Sequence, residues 1–415
     1  MADPQKKSPA RRPTDKGLEA IRGIAMTFVA LSHVLYLDLL TPDLNFPRWL
    51  RSIEGGHAGV LVFFVLSGYV IGWTNSRTFS REAARDYLRR RLIRLAPIYL
   101  LAVAITTAVM WVTGLWAPLR VIVGSVFCLQ NFNGYFGFSL NPPLVNNPLW
   151  SLNYEILYYG LFLILWRFEP ASKWVFGPAL LAATLSWFAP RVMPLFIGSY
   201  AAGWLFWAAG WWLSRRPQLD RSMAARAPIA TWVLLIFASH QISGATRILN
   251  ALGLYSNDAG MVSIGDLGIL PGLLLLVSAL GGRQLTGKRW IELLAWTICV
   301  LPLAGIICTG RLLNNPAWLT GLLAVLMAGG LRAFSSERWL RPFAWLGGIS
   351  YAFYVLHFPL LYLVQDMPIP RTTVEGFLVR LFIWIGLILG LSWLLERRFQ
   401  PWIKARILVG RRPGF

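Results

Sequence analysis

The sequence predicts an all-α, polytopic transmembrane helix bundle of roughly ten to twelve spans with no appended soluble domain. Three observations predict it. Apolar residues fill 56% of the 415 positions and charged residues only 14%, whereas a soluble domain carries about 25% charged residues. The apolar residues recur in blocks close to the ~20 residues that a bilayer requires. The basic residues behind the net charge of +21 sit in short clusters between those blocks, as in cytoplasmic loops. Anionic lipid headgroups account for such clusters, so nucleic acid is not an expected partner and membrane lipid is. The 21 Trp residues fit the same class, since Trp favours membrane–water boundaries.

Taken in order, residues 1–17 are polar and basic and read as a disordered cytoplasmic tail. The first apolar block is too long for a signal-peptide core and lacks a small-residue cleavage pattern, so it is an uncleaved first span. Spans are expected near 18–38, 57–75, 95–113, 148–166, 174–190, 193–213, 228–242, 263–281, 290–309, 315–331, 343–365 and 374–395. The transmembrane domain is thus 18–396, and 397–415 is a second basic cytoplasmic tail. With the N-terminus inside, 30 of the 39 Lys and Arg residues fall on inner segments and 7 on outer loops. That bias favours the even span count and two cytoplasmic termini. The longest outer loop, 114–147, is rich in Asn and Pro and reads as turns rather than helix.

Ionisable groups inside spans are the default functional candidates. Arg22 and His33 lie eleven residues apart, close to three helical turns, so they share a face about 16.5 Å apart along the axis. Arg22 is placed near the inner headgroups and His33 in the outer third. The alternative for Arg22 is a snorkelling boundary residue, and for His33 a histidine bonded within the bundle. The fourth span opens Leu149-Trp150-Ser151-Leu152-Asn153-Tyr154-Glu155, with Glu155 about 10 Å below the outer surface. The eleventh carries Ser350, Tyr354 and His357 at i, i+4 and i+7 on one face. His33, Glu155 and His357 are therefore expected at similar depth. A histidine beside a carboxylate suits proton abstraction from a hydroxyl, with the carboxylate orienting the imidazole. Ser67, Gly68 and Gly72 are small enough to let helices approach closely. Arg90, Arg91 and Arg94 form one basic face if helical, fit either for phosphate or for inner-leaflet anchoring. Cys128, Cys299 and Cys308 show no metal-ligand spacing, and no metal is expected.

Together these motifs resemble the acyltransferase-3 family of membrane-bound O-acyltransferases, typified by bacterial surface-polysaccharide O-acetyltransferases. The blocks are Arg22 with His33, Phe63-Phe64-Val65-Leu66-Ser67-Gly68-Tyr69, Arg90 through Pro97, Trp150 through Glu155, and Ser350 through Pro359. They occur in the family's order over nearly the whole chain. The resemblance implies an integral protein of the bacterial inner membrane, with acyl-CoA, usually acetyl-CoA, as cytoplasmic donor. It implies an acceptor hydroxyl on a surface glycan or lipid-linked sugar. It makes His33 the essential histidine and assigns Arg22, Arg90, Arg91 and Arg94 to the CoA end. In the mechanism expected here, Glu155 supports His33, which acts as general base or takes the acyl group transiently, and Trp150, Ser151, Asn153, Tyr354 and His357 handle the acceptor. A lipid or glycan transporter or flippase is the main alternative, since buried His and Glu also serve proton relays. No inverted repeat or paired broken helices are legible, and the arginine cluster is better explained by CoA.

Overall fold

A computed structural model describes residues 14–409 except 37, 42, 45, 131, 136–137, 141–143, 220–226, 256–260 and 334–339. Twelve principal helices follow one another: α1 Thr14–Leu31, α2 Gly56–Thr74, α3 Arg81–Thr113, α4 Trp150–Phe168, α5 Ser172–Phe188, α6 Leu195–Ser214, α7 Ile229–Gln241, α8 Leu270–Leu280, α9 Lys288–Cys308, α10 Pro316–Gly330, α11 Ser350–Gln365 and α12 Val374–Leu394. Each expected span overlaps one of them. Six stretches are long and apolar enough to cross a membrane, or seven if α7 counts with the helix Gly244–Ala251 that bends 50° from it. That is fewer than the ten to twelve expected. The physical reason is length for α5, α7, α8 and α11, which run 17, 13, 11 and 16 residues, and composition for α4 and α6, which are long enough but spend many buried positions on Tyr and Trp.

Those aromatics pack inward. Trp207 and Tyr158 are fully buried, and Trp204 stacks on Trp207 with centroids 5.2 Å apart. These Trp residues therefore belong to the core rather than to a boundary belt. Around them α2 and α6 cross at backbone contact. A Cβ on Gly68 would lie 1.9 Å from the Trp207 carbonyl oxygen, and one on Gly210 2.0 Å from that of Val65. The close packing expected of Gly68 is thus explained by its missing side chain.

Helix α3 corrects the expected span at 95–113. Ser80 caps its start, accepting from the Ala83 N–H at 3.1 Å, and its 33 residues run unbroken to Gly114, whose φ is +71°. At 1.5 Å per residue it is about 50 Å long, so its Arg-rich first half extends beyond a bilayer core. Pro97 sits inside it and leaves the Ile93 carbonyl without its helical donor. Gln400 Nε2 supplies the bond at 2.6 Å. Pro359 likewise frees the Val355 carbonyl in α11, and Asn146 donates to it at 3.1 Å. The Asn-rich loop 114–147 thus contributes a structural bond. It also holds a short helix Leu119–Val126 and a two-stranded hairpin, Phe132–Tyr135 with Phe138–Leu140.

The described helices reach into both expected tails. Helix α1 begins at Thr14, within the expected 1–17 tail, and residues 1–13 lie outside the described residues. Past α12 the chain continues as a π turn, Leu395–Phe399, and a helix, Gln400–Val409. The expected tail at 397–415 is therefore helical over its described part.

Candidate active site

The first functional element is the end of α1. There the helix widens into a π turn, Ser32–Tyr36, a feature that often marks functional sites. This turn carries His33 against α11. His33 Nδ1 lies 2.8 Å from His357 Nε2, and the rings stack with centroids 5.0 Å apart. His357 is 1% exposed, and its Nδ1 lies 2.6 Å from the Tyr354 carbonyl oxygen. A carbonyl only accepts, so His357 Nδ1 carries the proton and donates. His357 Nε2 is then the acceptor and His33 Nδ1 the donor. The chain of bonds leaves His33 Nε2 with a free lone pair.

The expected support of His33 by Glu155 is corrected by this geometry. Glu155 accepts from Ser67 Oγ at 2.8 Å and from the Tyr159 hydroxyl. Helical rise gave its approximate depth, but the side it faces depends on packing.

Glu155 instead lines an open-mouthed cavity together with Arg22, Ser67, Arg91, Arg94 and Tyr354. Helices α1, α2, α3, α4 and α11 each contribute a wall. Arg94 forms a two-pronged ion pair with Glu396, its Nη2 lying 3.1 Å from Oε1. Glu396 sits in the second π turn and also accepts from the Ala352 N–H at 3.3 Å. Arg91 stacks over Tyr87 and Tyr159, 5.7 and 5.5 Å from their centroids, and its buried Nε has no hydrogen-bond partner. Among the described residues no carboxylate forms an ion pair with Arg22 or Arg91. Arg22 and Arg91 thus bring two guanidinium groups to one cavity against the single Glu155 carboxylate in its wall, a positive surplus suited to a phosphorylated ligand.

Tyr354 joins the cavity to the histidine pair. It lines the cavity, its hydroxyl donates to the Pro148 carbonyl at 2.9 Å and lies 2.6 Å from Ser151 Oγ, and its ring contacts His357 at 5.7 Å. Ser151 and Ser350 line the cavity too. Five expected site residues do not: His33 and His357, which pair with each other, and Arg90, Asn153 and Trp150. Arg90 is exposed and bonds Asn75 at 3.2 Å, because on a helix only two of three neighbouring arginines face the same wall. Asn153 is buried, donating to the Cys128 carbonyl at 2.6 Å and accepting from the Tyr200 hydroxyl, so its amide is spent on the framework. Trp150 packs edge-on against Tyr154 at 5.3 Å. Glu396, Tyr159 and Ser67 were missed as site residues. The sequence signal available for Glu396 was an acidic residue directly before Arg397 and Arg398.

A family model described as an acyltransferase domain, of the acyltransferase-3 type, matches residues 15–397. The chain belongs to the acyltransferase-3 family. Its match to BcsY of Komagataeibacter xylinus, named as a membrane-bound transacylase, is 27% identical over 172 residues, 38% of this chain and 39% of BcsY. Its match to the O-acetyltransferase OatA of Staphylococcus aureus is 30% identical over 173 residues, 38% of this chain and 26% of OatA. The aligned part thus spans about two fifths of one relative and about a quarter of the other. No solved structure matches. Among the described residues no group of three or more His, Cys, Asp or Glu is placed to hold a metal ion.

Proposed function

We propose that this acyltransferase-3 protein moves an acyl group, acetyl in the simplest case, from acyl-CoA to a hydroxyl of a surface glycan or lipid-linked sugar. The observation that carries the proposal is the chain of bonds that leaves His33 Nε2 as a free base, at the far end of α1 from the arginine-lined cavity. Arg22 and Arg91 hold the CoA phosphates, and Arg94, already paired with Glu396, fixes the wall. The donor enters from the face on which the Arg-rich half of α3 projects, cytoplasmic by the loop-charge bias. The long flexible arm of CoA covers the ~16.5 Å between Arg22 and His33.

At the far end, His33 Nε2 takes the proton from the acceptor hydroxyl while that oxygen attacks the thioester carbonyl carbon. The C–O bond forms and the C–S bond breaks. The proton then passes from His33 to the departing thiolate, giving an ester and CoA thiol. His357 holds His33 in the reactive tautomer, the role that a carboxylate plays in hydrolase triads. Ser67 and Tyr159 keep Glu155 in the cavity wall, where it acts on the donor side.

Purified protein with radiolabelled acetyl-CoA tests this. His33→Ala is expected to lower CoA-thiol release at least ~100-fold, the range for loss of a general base. Near-native release from the correctly inserted variant would sink the mechanism. Arg91→Gln is expected to raise the KM for acetyl-CoA about tenfold with a smaller change in kcat, as loss of uniform binding does.

A further inference from the structure

The mechanism above leaves a second group of titratable side chains unused. Glu54 and His57 stand at the start of α2, His240 near the end of α7, and Asp266 in the turn Ile264–Ile269 before α8. Glu54 Oε1 accepts from Ser32 Oγ and from the Gly56 N–H, both at 3.0 Å, and its other oxygen bonds His240 Nε2. His57 Nε2 lies 3.0 Å from Asp266 Oδ1, and the Ser263 N–H holds Asp266 Oδ2 at 2.7 Å. The rings of His57 and His240 stack 6.0 Å apart. Two imidazoles are thus each anchored through Nε2 by a carboxylate. The four side chains are 17–26% exposed, so the cluster is partly accessible. It adjoins the transfer site: Ser32 turns to Glu54 while the next residue, His33, turns to His357.

An open apolar slot lies beside this part of α2, walled by Ile24, Phe28, Ala58, Val62, Val233 and Phe237. Gly55, which lies between Glu54 and His57 in the chain, also lines it, so the slot begins next to the cluster. The rings of Phe28 and Phe237 meet with centroids 5.8 Å apart. Carboxylates and imidazoles accept hydrogen bonds from hydroxyls, and paired charges at membrane depth mark functional sites. A slot without polar side chains offers a sugar nothing to bond and suits a hydrocarbon chain.

We infer that the acceptor is an amphiphile that arrives from the bilayer, its hydroxyl-rich head at Glu54, His57, His240 and Asp266 and its chain in the slot. The inference rests on the acyl-transfer reading and narrows its acceptor to a membrane-anchored one. Ser32, which bonds Glu54, is the chain neighbour of His33, so the head is held beside the turn that carries the base.

The test uses the full chain in phosphatidylcholine vesicles with an alkyl glucoside bearing a diazirine in its chain. After photolysis, adducts are expected within 24–28 and 233–237, competed by unlabelled alkyl glucoside. Glu54→Gln, which keeps a hydrogen-bonding oxygen, and Val233→Trp, which fills the slot, should each cut the yield about tenfold. Absent adducts, equal labelling by a diazirine phosphatidylcholine, or indifference to Glu54→Gln overturns the inference. CoA release is measured alongside. Arg22→Gln should cut release about tenfold at acetyl-CoA below its KM and leave labelling intact, whereas native protein that labels but never releases CoA sinks the acyl-transfer reading instead.

Discussion

His357 changes role once its neighbours are known. The helical stripe of Ser350, Tyr354 and His357 suggests an acceptor site, yet packing turns His357 onto His33. His357→Ala is expected to lower kcat roughly 100-fold with little change in the KM for acetyl-CoA, because the tautomer of His33 is no longer fixed. A pure KM effect would return His357 to substrate binding. The Arg94–Glu396 pair makes an asymmetric prediction. Glu396 has a side chain only 3% exposed while that of Arg94 is 38% exposed, so removing the arginine strands the more buried charge. Arg94→Met should cost about 3 kcal/mol, the low end for breaking a buried pair, and Glu396→Gln less. Thermal unfolding in detergent measures both, and the reverse order would show that the pair is not what stabilises the π turn.

At the scale of elements, the sequence indicates where helices lie far better than how they end. Apolar blocks and flanking charges mark twelve segments, and each overlaps a helix. The continuous helix through Arg81–Arg94 was legible only as a condition, since its polar composition reads equally as a loop. The two π turns, which carry His33 and Glu396, leave no signal in periodicity because each adds a single residue to a long helix. Proline is legible in the chain, but the donor that satisfies the freed carbonyl comes from elsewhere. Asn146, bonded to both Val355 and Thr106, exemplifies this. Asn146→Ala should therefore destabilise the protein by about 1–3 kcal/mol, the cost of orphaned buried groups. A change below about 0.5 kcal/mol would mean that water replaces the bond.

For the whole molecule, the loop-charge bias sets a direction that cysteine labelling measures. In a background without Cys128, Cys299 and Cys308, Leu313→Cys should react with an impermeant maleimide from outside intact cells, and Arg77→Cys should not. The opposite pattern would invert the membrane orientation and place the arginine cavity on the wrong side for cytoplasmic CoA. The site draws on five helices from both ends of the chain, so its assembly depends on the full bundle.

The sequence by itself determined that this is an all-α membrane bundle, because burying apolar blocks in a bilayer depends on composition and length alone. It also singled out Arg22, His33, Glu155, Tyr354 and His357, since ionisable and polar groups are costly at membrane depth, and Arg91 and Arg94, since together they form one basic face. The tertiary structure decided their partnerships: His33 with His357, Arg94 with Glu396, Glu155 with Ser67 and Tyr159. Helical rise fixes how deep a side chain lies, but hydrogen bonds depend on rotation about the helix axis, and only the packing of neighbouring helices sets that angle.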